Sequence, residues 1–288
     1  MKGEQTPPSV RVPLDQGRSG SNRADGRRPK IDITTPHVAR MYDYYLGGKD
    51  NYRSDRDAAE EVIAKFPEAR QLALVNRHFL RRAVATLAGQ MGIAQFLDLG
   101  SGFPTQENVH QVAQRINPAA RVAYVDLEDV VLAHGQALLA TDERTIMVQG
   151  DIREPRTILS SRDLQAHLNF DEPIAVLLIF VLHFIKDEEQ PQEIIRDLMQ
   201  EMPPGSCLVI SHATPRDDLM QGVKAYDNAS SPVSLRTEPV IRAFFDGLEL
   251  VEPGLVPLAL WRPGWPQSEL PSKDLKLPAL CGLGRKPA

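Results

Sequence analysis

Cysteine is nearly absent from this chain. Only Cys207 and Cys281 occur among 288 residues, each inside an apolar run. Two such thiols read as buried and reduced, which excludes a disulfide framework and a cysteine-based metal site. Long apolar stretches are missing too. The longest, "IAVLLIFVLHFI" from Ile174 to Ile185, is too short to cross a bilayer and contains a histidine. The N-terminus has no apolar signal-peptide core, so no membrane partner is expected and the expected compartment is the cytoplasm. Positive charge is also scarce. The net charge is −5 and the pI about 5.8, which removes the basic footprint of a general nucleic-acid binder. The one cationic cluster (Arg18, Arg23, Arg27, Arg28 and Lys30) sits among Gly, Ser, Pro and Asp, where a solvated tail explains it more cheaply than a binding arm.

What is present is a change of rhythm along the chain. Residues 1–30 carry no apolar periodicity and are expected to be a disordered tail. Residues 31–92 turn helical and are expected to form an N-terminal cap or lid. Ala58, Val62 and Phe66 recur every fourth residue before Pro67. In "EARQLALVNRHFLRRAVATLAGQ", Leu72, Val75, Phe79, Ala83 and Leu87 share one face. From residue 93 to 288 short apolar strands alternate with helices. "AQFLDLG", "RVAYVDL", "TIMVQGD", "IAVLLIFVL" and "GSCLVISHA" read as strands, with helices between them, one of them over Arg156–Leu168. That order predicts an α/β fold, a mostly parallel sheet with right-handed crossovers and helices on both faces. "LELVEPGLVPLAL" and "LPALCGLGR" read as two final strands flanking the loop "WRPGWPQSELPSKD".

The chemistry centres on "FLDLGSGFPT", where a strand delivers Asp98 and then Gly100-Ser101-Gly102 ahead of a helix. Two glycines there let the backbone turn tightly and approach a ligand, although an ordinary strand-to-helix turn would also use them. A dinucleotide fold needs a third glycine and free N–H groups for a pyrophosphate. Thr105 holds the third position and Pro104 has no N–H, so a nicotinamide-dependent reductase is disfavoured. An amino-acid-bearing nucleoside fits better, with Asp98 attracting its ammonium group. The second strand ends at Asp126, about 25 residues on, where a carboxylate can accept from both ribose hydroxyls. Asp151, in "QGD" after the third strand, either accepts from an adenine amino group or caps the next helix.

Taken together, Asp98-x-Gly-x-Gly, the acidic strand end and the "GD" resemble a Rossmann-like class I S-adenosyl-L-methionine-dependent methyltransferase. "ARMYDYYLGGKDNYRSDR", "FLDLGSGFPT", "YVDLEDVVLAHGQALL", "GDIREP", "VLHFI" and "FFDGLELVEPGLV" narrow the resemblance to an actinobacterial family once catalogued as a domain of unknown function and now called S-adenosyl methyltransferase. It runs from about Asp32 to the C-terminus. It implies a seven-stranded sheet and S-adenosylmethionine as cofactor, held by Asp98, Gly100, Ser101, Gly102, Asp126, Leu127, Asp151, Ile152 and Tyr45. The sequence departs from the pattern after Asp126, where Leu127-Glu128-Asp129 replaces an Asn-Asp-Pro-like turn. The resemblance does not supply a substrate; the expected reaction is methyl transfer to an O or N of a small-molecule acceptor, and the alternative is a non-catalytic sensor that binds the same cofactor.

No Asn/Asp-Pro-Pro-Tyr tetrad follows the fourth strand, which disfavours methylation of nucleobase or glutamine amino groups. His183 and His212, at two strand ends, are instead the candidate bases; a histidine there can equally be a hydrogen-bonded core residue. Tyr226 and Trp261 are candidates to shape the acceptor pocket, though lone aromatics are more often core. Arg77 could pair with the cofactor's carboxylate or with an acidic acceptor, though a solvated helix face accounts for an isolated arginine more simply. Finally, "MYDYYLGGKDNY" concentrates four of the six tyrosines around Gly47-Gly48. Tyr42, Tyr44 and Tyr45 are expected either to close over a sulfonium as a hinged lid or to pack as a static cap.

Overall fold

The computed structural model describes residues 32–104, 107–138, 143–261 and 276–288. The expected tail and most of the Pro- and Trp-containing loop lie outside the described residues. Five strands run parallel: β1 (Gln95–Leu99), β2 (Arg121–Asp126), β3 (Thr145–Gln149), β4 (Ala175–Ile179) and β5 (Cys207–Ala213). Three more complete the sheet: β6 (Glu249–Leu250), β7 (Val256–Pro257) and β8 (Ala279–Arg285), with β8 antiparallel to β5. The order is β3-β2-β1-β4-β5-β8-β6, with β7 also pairing β8. Strand order therefore reverses between β1 and β4, and their carboxyl ends open the crevice where ligands of such sheets bind.

Side chains alternate across the sheet as strand geometry requires. On β4, Ala175 and Leu177 face one apolar cluster while Val176 and Leu178 face the other. The first face is covered by α1 (Val38–Tyr45), α2 (Arg53–Lys65), α3 (Ala69–Gly89) and α4 (Val109–Ile116). The second is covered by α6 (Pro155–Leu159), α7 (Arg162–His167), α8 (Pro191–Gln200) and α10 (Glu238–Ala243), after α5 (Asp129–Leu138) and α9 (Asp217–Gly222) in their places along the chain. All five residues expected on the buried face of α3 are buried, and Phe79 meets Trp261 edge-on at 5.4 Å. Both cysteines are buried and free. None of the described helices is long and apolar enough to cross a membrane.

The helical segment ahead of β1 is fixed by a buried ion pair. Arg40 Nε donates to Asp55 Oδ2 at 2.8 Å, and the Asp55 carboxylate also accepts from the backbone N–H of His37 and Tyr52. One carboxylate thus ties the start of α1 to the start of α2.

The sheet has eight strands and not the expected seven. "LELVEPGLVPLAL" does not run as one strand, because Pro253 cannot donate to a ladder and Gly254 adopts φ +83°; the run breaks into β6 and β7. Strand β4 stops at Ile179, three residues early, because Phe180 takes φ +53° and turns the chain into the short helix Leu182–Phe184. The helical stretch expected from Arg156 to Leu168 divides into α6 and α7 at Ser160-Ser161.

Candidate active site

The carboxyl ends of β1 to β4 open into a cavity of about 240 Å³. Of the residues expected at the site, Asp98, Gly100, Ser101, Gly102, Asp126, Leu127, Asp151, Ile152, Tyr45 and His183 all line it. His212 does not.

The glycine turn is built for close approach. Gly100 has φ +70°, and a Cβ on it would collide with Val181 from the β4 end, so only glycine lets the two sides of the switch point meet. Gly102 has φ +63°, with open space where a Cβ would stand. The backbone N–H groups of the turn are already used. Gly100 and Ser101 donate to the Val125 carbonyl, and Gly102 donates to Asp126 Oδ2 at 2.9 Å. A pyrophosphate would find none of these three free, in accord with the sequence argument against a dinucleotide. Replacing Gly102 by alanine is expected to cost about 1–2 kcal/mol in backbone strain and to weaken nucleoside binding on the order of tenfold, read by calorimetry on the folded variant.

Two buried polar atoms on the cavity wall lack a hydrogen-bond partner, and a buried carboxylate lies in the same crevice. Asp98 is buried and accepts no hydrogen bond from the described residues; burial pushes its carboxyl up to about 7, against the opposing pull of Arg77. The Ser101 hydroxyl is buried without a partner. So is Nδ1 of His183, whose ring sits among Phe180, Phe184 and His212. Unpaired buried polar atoms cost about 1–3 kcal/mol each, so Ser101 Oγ and His183 Nδ1, with the buried Asp98 carboxyl, point to a ligand that supplies the bonds. An ammonium-bearing nucleoside fits this set.

Asp126 is held by two backbone N–H groups. Its Oδ1 accepts from Glu128 N–H at 3.1 Å and its Oδ2 from Gly102, leaving a lone pair on each oxygen for two ribose hydroxyls. Burial raises its pKa. Glu128, part of the unexpected Leu127-Glu128-Asp129 segment, reaches across the mouth: its Oε2 lies 3.2 Å from Nε2 of His37 at the start of α1. That contact holds the Glu128 carboxyl below its ordinary range. Asp151 is more committed than expected. It accepts from the N–H and Nε of Arg153, forming a local turn, whereas the N-cap of α6 is Glu154. The helix-capping alternative for Asp151 therefore falls.

The two histidines differ. His212 is fully buried, with Nδ1 2.7 Å from the Ala213 carbonyl and Nε2 3.1 Å from Arg236 Nη1. The guanidinium can only donate, so Nε2 accepts and Nδ1 carries the proton. Burial drives this imidazole down to about 4. With its lone pair occupied and its ring off the cavity, His212 is a neutral structural group, which corrects the expectation of an acceptor-lining base. Burial, with His212 and Arg236 nearby, also holds His183 well below the ordinary histidine range, and His183 does reach the cavity.

Arg236 was not singled out in the sequence. It also donates to the carbonyls of Leu182 and Ile185 and to Asp187, pinning the turn that carries His183. A chain of hydrogen bonds braces the same turn from behind. Phe180 N–H donates to Ser211 Oγ, Ser211 to Asn76 Oδ1, and Asn76 Nδ2 to the Tyr42 hydroxyl.

The tyrosine-rich stretch forms helix α1. Tyr42 and Tyr45, three residues apart, share the cavity face, while Tyr44 points outward to Glu60, with Arg70 over its ring at 4.9 Å. Tyr44 therefore does not cover the site. Gly47 takes φ +78° to end the helix, and Gly48 leaves room for the Asp43 carboxylate, around which Asp50 and Asn51 fold. Trp261 is core and off the cavity; Tyr226 and Arg77 line it.

The family described as S-adenosyl methyltransferase matches residues 24–287. Two solved structures are similar over most of the chain. A DUF574 family protein from Streptomyces avermitilis MA-4680 is 37% identical with a TM-score of 0.85, the match covering 90% of this chain and 100% of that one. A protein provisionally described as a methyltransferase, from Thermobifida fusca YX, is 38% identical with a TM-score of 0.84, covering 90% of this chain and 98% of that one. No curated protein matches the sequence.

Proposed function

The chain belongs to the S-adenosyl methyltransferase family and is an S-adenosylmethionine-dependent methyltransferase, and from that premise we propose that it methylates an oxygen or nitrogen of a small-molecule acceptor bound beside His183. The observation that carries this reading is the buried His183 imidazole, whose Nδ1 lacks a hydrogen-bond partner, on the wall of the same cavity as Asp98 and Asp126. When bound, S-adenosylmethionine supplies a sulfonium methyl group and is left as a thioether once the S–C bond pair returns to sulfur. In this reading Asp98 holds the ammonium group, with Arg77 set near the carboxylate. Asp126 takes the ribose hydroxyls, while Leu127 and Ile152 flank the adenine and Asp151 lies at its edge. Ser101 satisfies its hydroxyl against the same ligand.

His183 stays neutral, so it accepts a hydrogen bond from the acceptor's O–H or N–H and orients the lone pair toward the methyl carbon. The departing proton then passes to solvent. Much of the acceleration comes from alignment and exclusion of water, for which orientation alone can supply about 7–11 kcal/mol.

The test is incubation with methyl-labelled S-adenosylmethionine and a panel of small alcohols, phenols and amines, read by mass. His183→Ala is expected to lower turnover on the order of 100-fold while adenosylhomocysteine affinity stays unchanged. Equal loss of both would assign His183 a purely structural role. No labelled O- or N-methyl product across the panel would contradict the proposal.

A further inference from the structure

Charge is not spread evenly around the cavity. Among the described residues, every charged lining side chain sits on or at the start of α1, on α3 beside Asp98, or at the carboxyl ends of β1 to β3. The opposite walls, from α2, α9 and residues 179–185 and 213–235, present none. They carry Val62, Phe66, Leu219, Val223, Val233 and Leu235, together with a run of rings. Ring centroids step from Phe180 to His183 at 5.3 Å, from His183 to Phe184 at 4.4 Å and from Phe184 to Tyr226 at 6.2 Å. Polar groups interrupt this arm at Ser230 and Ser231, the first accepting from the Val38 N–H, and at the hydroxyls of Tyr45 and Tyr226, which lie 3.0 Å apart.

From this segregation we infer that the acceptor is an uncharged aromatic molecule bearing one hydroxyl, its ring against Phe184 and Tyr226 and its hydroxyl donating to His183 while it accepts from the Tyr45–Tyr226 pair. The inference rests on the reading that the charged half holds the cofactor. A carboxylate or ammonium on the acceptor would enter a space with no counter-ion on these walls, and desolvating an unpaired charge is costly. A purely apolar molecule would leave the phenol pair unanswered. Within that pair one O–H donates to the other oxygen, so one proton and spare lone pairs remain for a polar substituent. Burial holds both phenols protonated, raising Tyr226 to about 12. The aromatic rim favours edge or offset contact with a flat ring over a flexible chain. In the transfer itself the O–CH₃ bond forms as the S–CH₃ bond breaks, and the hydroxyl proton leaves to solvent.

The probes are naphthol, naphthoate and naphthylmethylammonium, titrated calorimetrically into the full chain already saturated with S-adenosylhomocysteine. Naphthol is expected to bind more tightly than either charged probe, on the order of tenfold or more. Val233→Asp, at a half-buried wall position, is expected to abolish naphthol binding with adenosylhomocysteine affinity retained. Tyr226→Phe is expected to reduce the preference for naphthol over naphthalene. Naphthol failing to bind the adenosylhomocysteine complex, or a charged probe matching it, would overturn the inference. If adenosylhomocysteine itself does not bind, the cofactor assignment falls and this inference falls with it, a result separable from the first by the order of titration.

Discussion

Asp98→Asn is expected to weaken S-adenosylmethionine binding on the order of 100-fold and yet to make the free protein more stable at pH 8. Both effects come from one buried carboxylate. In the free protein burial raises it from 3.8 to about 7. Between those values the folded state keeps a proton that the unfolded chain has released, so stability falls as pH rises through that window. Above it the full cost of the buried charge is present, at most about 4 kcal/mol. An amide removes that cost but is itself desolvated without a partner, returning about 1–2 kcal/mol. A net gain of about 2 kcal/mol at pH 8, shrinking toward acid pH, should be visible in urea titrations. Because an ammonium ligand prefers the ionised carboxylate, wild-type affinity for S-adenosylmethionine should also drop below pH 7, approaching tenfold per pH unit. An Asp98→Asn variant that binds normally would remove Asp98 from the site.

Asp55→Ala is expected to destabilise the protein by about 3–5 kcal/mol, because it leaves Arg40 buried without its partner. The side chains are 3% and 0% exposed, so solvent cannot compensate. Two backbone N–H groups, of His37 and Tyr52, lose their acceptor at the same time. The effect should reach function, since α1 and α2 together supply Tyr42, Tyr45 and Val62 to the cavity wall. Denaturant unfolding gives the energy. Adenosylhomocysteine should partly restore stability by mass action if the crevice still forms. A loss below about 1 kcal/mol would mean that the pair is solvated and not structural.

The residues proposed to hold the cofactor could be placed on the crevice from the sequence because their pattern is local. A strand, a glycine turn and an acid at the next strand end are set by periodicity and spacing, and Asp98, Gly100, Gly102 and Asp126 all stand on the crevice as expected. The acceptor half was legible only in part, because it is assembled from distant segments. Nothing near Arg236 in the sequence announces that it holds Leu182, Ile185 and Asp187, about 50 residues away. The same guanidinium decides between the two histidines, silencing His212 and leaving His183 on the wall. Phe180 sits in a left-handed conformation held by β5, which an apolar run cannot reveal. The tyrosine cluster shows the difference most simply. Treated as a glycine-hinged loop, it offers three equivalent rings; as helix α1, its geometry puts Tyr42 and Tyr45 inward and Tyr44 outward.

The position of the bound nucleoside decides between these assignments and their alternatives. A crystal structure of the full chain with S-adenosylhomocysteine bound measures this directly. It should place the ribose on Asp126, the amino group on Asp98 and the sulfur facing the His183 side of the cavity, with the apolar arm open beyond it. A nucleoside lodged instead among Val62, Leu219 and Leu235, or bound away from the β1–β4 crevice, would contradict these assignments.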